Sequence, residues 1–186
     1  YGDYFEFGIH RCRTFRMALS CARFYNIKDI SFHAFDSFEG LPDFGDSLIE
    51  QWQPNELCTT EEQFMSDIVE HGLFVDSVYC HKGFYEDSLN KDLKNDLLMN
   101  HNKAMMITVD CDFYKSAVSV FSFIEPFIQH GTIIYLDDVF AGFSDRSKGG
   151  TLQAFKEYSE NSKFEFLPHL NIGWWGRSFI ASKLEG

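Results

Sequence analysis

Short hydrophobic runs alternate with stretches of helical periodicity along the whole chain, and most runs stop abruptly at a glycine or an acidic residue. Residues 4–7, 31–35, 77–81, 104–109 and 132–136 read as strands, and the run over 132–136 is the clearest buried one. Between them, 14–22, 60–71, 89–100 and 116–129 carry apolar residues at helix spacing. Thr14 reads as the cap of the first helix, and Thr60-Glu61-Glu62-Gln63 opens the next, which runs to Gly72. Gly149 and Gly150 lead into a last helix through Tyr158. Strands near 164–167 and 174–182 follow with no helix between them, which predicts an antiparallel hairpin at one edge. The alternation predicts an α/β fold: a doubly wound, mostly parallel seven-stranded sheet with helices on both faces.

Length and charge narrow what such a domain does. With 186 residues the chain suffices for one α/β domain, read here as spanning 1–186 and lacking residues before Tyr1. The 21 phenylalanines are read as the packing of a sheet-rich core rather than as an aromatic binding surface. A net charge of −12 without a basic patch disfavours nucleic acid as a partner. Cys12, Cys21, Cys58, Cys80 and Cys111 form no CxxC pair, so reduced thiols in a cytoplasmic protein are expected. No apolar run is long enough to span a membrane. The polar segment 39–58, with Pro42, Gly45 and Pro54, is a loop long enough to be functional or mobile.

The chemistry lies where the strands end. Glu6, Asp36, Asp110, Asp137 and Asp138 all fall in or just after the carboxyl end of a predicted strand. In an open parallel sheet those ends share one rim, and ligands bind in the crevice outside it. If their strands are neighbours, Asp110, Asp137 and Asp138 crowd together and raise one another's pKa unless a cation is present. A hard divalent ion such as Mg²⁺ suits three carboxylates and keeps positions open for substrate oxygens. The alternative is that Asp137-Asp138 caps the following turn. Asp110-Cys111-Asp112 also fits the DxD of metal-dependent glycosyltransferases, a weak pattern by itself. Gly8, directly after the first strand, permits close backbone approach to a ligand, and Asp36 closes the second strand where such folds bind ribose hydroxyls. Turn formation and loop capping are the competing explanations for these two.

Together with Lys82-Gly83-Phe84-Tyr85-Glu86-Asp87-Ser88-Leu89, these motifs carry a likeness. In order along the chain stand Glu6-Phe7-Gly8-Ile9, Phe35-Asp36-Ser37-Phe38-Glu39-Gly40-Leu41-Pro42, Asp110-Cys111-Asp112-Phe113-Tyr114-Lys115-Ser116 and Tyr135-Leu136-Asp137-Asp138. The chain resembles the class I S-adenosylmethionine-dependent methyltransferases, and within them the macrocin O-methyltransferase family of metal-dependent sugar-methylating enzymes. The resemblance implies a Rossmann-like sheet and transfer of a methyl group to the hydroxyl of a small molecule, a sugar or vicinal diol. It further implies that Glu6, Gly8 and Thr14 lie at the methionine end of the cofactor and Asp36 and Ser37 at its ribose. Gly83, Phe84, Glu86 and Asp87 would surround the adenine. Asp110 would serve both cofactor and metal, with Asp137 and Asp138 completing the Mg²⁺ ligands, and Asp112 would be the general base. Homodimerisation is expected on the same ground.

The chain departs from the family in its first loop, where Cys12 and Arg13 stand in place of small residues. That substitution leaves a second reading, a catalytically silent member that binds cofactor or a partner protein. His10, His81, His169, Trp174 and Trp175 are read first as packing or surface residues, with substrate contact as the alternative.

Overall fold

The computed structural model describes residues 1–43, 54–100, 103–137, 139–140 and 150–183. The element order is β1 (Asp3–Phe7), α1 (Arg13–Phe24), β2 (Phe32–Asp36), α2 (Glu61–His71), β3 (Val78–Lys82), α3 (Tyr85–Ser88) and α4 (Lys91–Met99). Then come β4 (Ala104–Val109), α5 (Tyr114–Ile124), β5 (Ile133–Leu136), α6 (Thr151–Asn161), β6 (Phe164–Ile172) and β7 (Gly176–Lys183).

All seven strands form one sheet in the order β3-β2-β1-β4-β5-β7-β6. The first five are parallel, and β7 enters antiparallel between β5 and β6. The chain thus starts in the middle, winds outward to β3, returns across β1 to β4, and winds out the other way. Connections that reverse direction at β1 and β4 open a crevice at their carboxyl ends.

Both faces of the sheet are covered, so successive residues of the central strands are buried alternately on opposite sides. One core contains Tyr4, Phe32 and Ala34 against Phe15 and Leu19 of α1 and Phe64 and Ile68 of α2. The other holds Phe5, Phe7 and Phe35 against Ala117, Val120, Phe121 and Phe123 of α5 and Phe155 of α6. Most of the described phenylalanines are core residues that pack ring on ring, as expected, while Phe24 and Phe140 are exposed. Phe7 stacks on Phe35 at 4.4 Å and Phe35 on His81 at 4.5 Å. Phe15 meets Phe64 edge-on at 5.4 Å.

The helix signals differ in outcome. Thr60 caps α2 by accepting from the Gln63 N–H at 3.2 Å, and Gly72 closes it in the left-handed region, as its sequence predicts. Thr14 is no cap: α1 begins one residue earlier, and its N-cap is Cys12, left-handed at φ 60° and ψ 16° with no side-chain cap hydrogen bond. In the hairpin, β6 is longer than its hydrophobic run, because pairing from Phe164 opposite Lys183 to Ile172 opposite Gly176 extends it over polar residues, and β7 begins at Gly176 rather than at Trp174. No described helix is long and apolar enough to cross a membrane.

Candidate active site

Hydrogen bonds continue the parallel ladder past the strand ends and fix the rim. Gly8 donates to the Phe35 carbonyl at 3.0 Å, Asp110 to that of Phe7 at 2.8 Å, and Asp137 to that of Val109 at 3.0 Å. The carboxylates of Asp110 and Asp137 therefore stand on neighbouring strands. Gly8 has φ +89°, and a Cβ there would collide with the Asp110 carbonyl. The glycine thus serves the contact between β1 and β4 as well as any ligand above it.

The rim surrounds a cleft of about 240 Å³. Its lining includes Gly8, Ile9 and His10 after β1, Asp36 and Ser37 after β2, and Gly83, Phe84 and Glu86 after β3. Asp110, Cys111 and Asp112 after β4 and Asp137 after β5 complete it. Loops from five consecutive strands of the sheet thus meet at one surface, although they are spread over most of the chain.

Each of these acids has its own setting. Asp36 ties two loops together, accepting from the Ile9 N–H through Oδ2 and the Phe38 N–H through Oδ1, both at 2.7 Å. It is therefore the loop cap that its position allows, and each oxygen still has acceptor capacity for a ligand hydroxyl. Ser37 donates to the Gly40 carbonyl at 2.7 Å and holds its own turn. On the β3 side Gly83 donates to the Asp36 carbonyl at 2.9 Å, and Ser88 donates to that of Gly83 at 3.0 Å, suspending Phe84 at the rim.

Glu6 lies beneath the cleft rather than in its wall. It is buried and accepts from the Tyr4 phenol, which also contacts the Thr108 hydroxyl at 3.0 Å. Burial pushes the Glu6 acid up to about 8; the charges of Asp36 and Asp137 push the same way, and the Tyr4 hydrogen bond opposes them. Asp137 accepts from the Tyr135 phenol through Oδ1. Burial, followed by the Asp137 hydrogen bond and charge, pushes the Tyr135 phenol up, so it remains a donor.

Thr14 and Asp87 are not among the cleft-lining residues; Thr14 is half-buried in α1 and Asp87 is exposed on α3. Asp138 lies outside the described residues, as do 44–53 of the long polar loop. Among the described residues no group of three or more His, Cys, Asp and Glu is arranged to hold a metal. In the altered first loop, the Cys12 side chain is buried in the core of α1 and α2 and Arg13 is exposed, so neither lines the cleft. A left-handed cysteine costs about 1–2 kcal/mol that glycine would not; the loop keeps a glycine-type bend without the glycine.

Sequence reasoning singled out no role in the cleft for Leu41, Leu57, Phe113 or Ser116, yet all four line it. Leu41 pairs with the far side of the long loop, donating to the Glu56 carbonyl at 3.0 Å and accepting from the Asn55 N–H at 2.9 Å. His10, taken as a packing residue, shares this wall, with Nδ1 2.8 Å from the Leu57 carbonyl. The available signal was apolar residues inside an otherwise polar loop.

A parallel sheet carrying an antiparallel β7, with its cleft over the reversal at β1 and β4, is a Rossmann-like methyltransferase fold. The family model described as Macrocin-O-methyltransferase (TylF) matches residues 1–176, and the chain belongs to this family of O-methyltransferases. The structure of the O-methyltransferase NovP is similar at a TM-score of 0.75 and 19% identity, covering 98% of this chain and 73% of that one. The apo structure of CalS11, described as a TDP-rhamnose 3'-O-methyltransferase, gives 0.63 and 16%, covering 97% and 72%. An O-methyltransferase from Bacillus cereus in complex with S-adenosylhomocysteine gives 0.59 and 13%, covering 97% and 74%. No curated protein matches the chain.

Proposed function

We propose that this chain transfers a methyl group from S-adenosylmethionine to a hydroxyl of a small molecule, a sugar or vicinal diol, with help from a divalent cation. The observation that carries this reading is the single cleft joining Asp36 and the Gly83 turn at one end to Asp110, Asp112 and Asp137 at the other. Family membership supplies the reaction class, and the sugar acceptor is suggested by the description of CalS11.

In this reading the adenine lies against Phe84 beside Gly83, Glu86 and Asp87, and the ribose hydroxyls donate to Asp36. Gly8 admits the methionine end, with Thr14 behind it, while Glu6 shapes the field from below. The acceptor oxygen attacks the methyl carbon in line. An O–CH3 bond forms as the S–CH3 bond breaks, the electron pair goes to sulfur, and the neutral sulfide leaves. Asp112 takes the hydroxyl proton. Holding both reactants in contact supplies much of the acceleration.

Aspartate is by its ordinary acidity a weak base. The donor chemistry suits a hard cation: Asp110 and Asp137 bring carboxylates from adjacent strands, with Asp138 next in the chain. When bound, such an ion acidifies the acceptor hydroxyl and stabilises its developing charge. A homodimer in the cytoplasm is the expected setting.

Calorimetry with S-adenosylhomocysteine, followed by methyl transfer from labelled cofactor to a panel of vicinal diols and phenols with and without EDTA, tests the reading. Binding with EDTA-sensitive turnover is expected. Binding without turnover on any acceptor would replace it with the silent-member reading. Binding of a nucleotide diphosphate instead would favour the glycosyl-transfer reading of Asp110-Cys111-Asp112.

A further inference from the structure

The rim continues past Asp137. Because β7 runs antiparallel to β5, with Leu136 opposite Arg177, the turn at 173–175 projects beyond the carboxyl ends of the parallel strands. It lies next to the cleft, on the side away from Gly83 and Phe84. Two indoles occupy it, Trp174 at 62% exposure and Trp175 at 36%, meeting edge to face at 5.6 Å.

This turn is anchored to the site. The Tyr135 phenol donates to Asp137, and the Tyr135 ring packs against Gly176, the residue that follows the two indoles. The Trp175 carbonyl accepts from the Phe140 N–H at 2.7 Å. Gly176 lies so close to the Tyr135 ring that a Cβ would stand 2.7 Å from Cε2. The Arg177 guanidinium covers Phe140 at 5.0 Å, and its Nε donates to Asn171 Oδ1 at 2.8 Å. The two indoles thus precede a residue in contact with the phenol that holds a carboxylate of the cleft.

We propose that the Trp174 and Trp175 turn is the platform on which the acceptor ring stacks. The ligand class is an uncharged six-membered ring bearing vicinal hydroxyls, its apolar face on the Trp174 indole and its hydroxyl edge toward Asp112 and Asp137. This rests on the methyltransferase reading above and adds to it the wall that recognises the acceptor. The carboxylates that line this end of the cleft disfavour an anionic ring, whereas a flat indole favours the C–H face of a pyranose or the face of a phenol. Gly176 against the Tyr135 ring, and Tyr135 bound to Asp137, tie the turn to that carboxylate, so that stacking also orients the hydroxyl.

Titration of the full chain, saturated with S-adenosylhomocysteine and Mg²⁺, with methyl α-L-rhamnopyranoside and with catechol tests the proposal. The expected result is binding of at least one probe, weakened about tenfold by Trp174→Ala, with S-adenosylhomocysteine affinity within twofold of the parent. In turnover, KM for that acceptor rises while kcat changes little. If the alanine variant fails to fold, Trp174→Leu, which keeps apolar bulk without a flat face, replaces it. Equal acceptor affinity in a folded variant, or binding of neither probe to the parent, overturns the proposal. So does conversion of a dimer to a monomer by the substitution, which would make the turn a subunit contact. Retained S-adenosylhomocysteine binding in any of these cases leaves the methyltransferase reading standing; its loss from the parent would be the failure of that reading instead.

Discussion

The two ends of the cleft are built by different means. Over β2 and β3 the wall is held mainly by hydrogen bonds in which the backbone is donor or acceptor: Ile9 and Phe38 donating to Asp36, Gly83 donating to the Asp36 carbonyl, and Ser88 donating to that of Gly83. Over β5 and β7 much of it depends on side chains: Tyr135 on Asp137, the Tyr135 ring against Gly176, and Arg177 on Phe140. Backbone contacts survive most substitutions elsewhere in the loops, so the first end suits a fixed ligand. Side-chain contacts change with one residue, so the second suits a ligand that differs between relatives. On the proposed reading, an invariant cofactor and a variable acceptor divide in that way.

Substitutions along this divide should break or sharpen it. The largest effect is expected at the seam itself: Gly8→Ala forces a Cβ into the Asp110 carbonyl at a left-handed φ. Denaturant unfolding should show a loss of about 2–5 kcal/mol. A variant as stable as the parent would mean that β1 and β4 separate easily.

Beneath both ends, Glu6 feels Asp36 and Asp137 alike. Its folded pKa of about 8 exceeds the ordinary 4.5, so the folded state holds the extra proton. Its stabilising contribution is complete below 4.5 and is lost as pH rises through 8, at up to about 1.4 kcal/mol per pH unit. Glu6→Gln should flatten that limb in urea titrations across the range. His81 has the opposite sign: burial, then the charge of His33, lowers it from 6.5 to about 4. Its contribution is present above 6.5 and is lost as pH falls toward 4, and His81→Asn should remove that limb alone.

At the cofactor end, Asp36→Ala should weaken S-adenosylhomocysteine about ten- to a hundredfold by calorimetry, since a charge-assisted acceptor and a loop tie go together. Unchanged affinity would reduce Asp36 to its capping role. The smallest effect is expected at the acceptor end. Tyr135→Phe should lower kcat about tenfold by freeing the Asp137 carboxylate, while S-adenosylhomocysteine affinity stays within twofold. If that affinity falls as well, the two ends are not independent.

Much of the frame was legible because it depends on period and local punctuation. The hydrophobic runs ending at Gly8, Asp110 and Asp137 marked β1, β4 and β5, and Thr60 and Gly72 bounded α2 through contacts a few residues apart. The first loop was misread in one respect. Thr14 has a capping side chain, but Cys12 takes the bend, because packing against α1 and α2 outweighs the local preference. The short helix α3, Tyr85–Ser88, was absent from the pattern because four residues carry no period.

The sequence by itself therefore determined which residues could carry the chemistry: acids at strand ends, in an order that matches one family. Only the tertiary structure decided which of them share a surface. Asp36 and Asp137 line the same cleft although 101 positions apart, whereas Glu6, only two residues before Gly8, is buried below it. It also placed the turn at 173–175 beside Asp137, because β7 inserts next to β5. The reason is physical: residue type and spacing set what a side chain can do, but which strands become neighbours is settled by packing across the whole sheet.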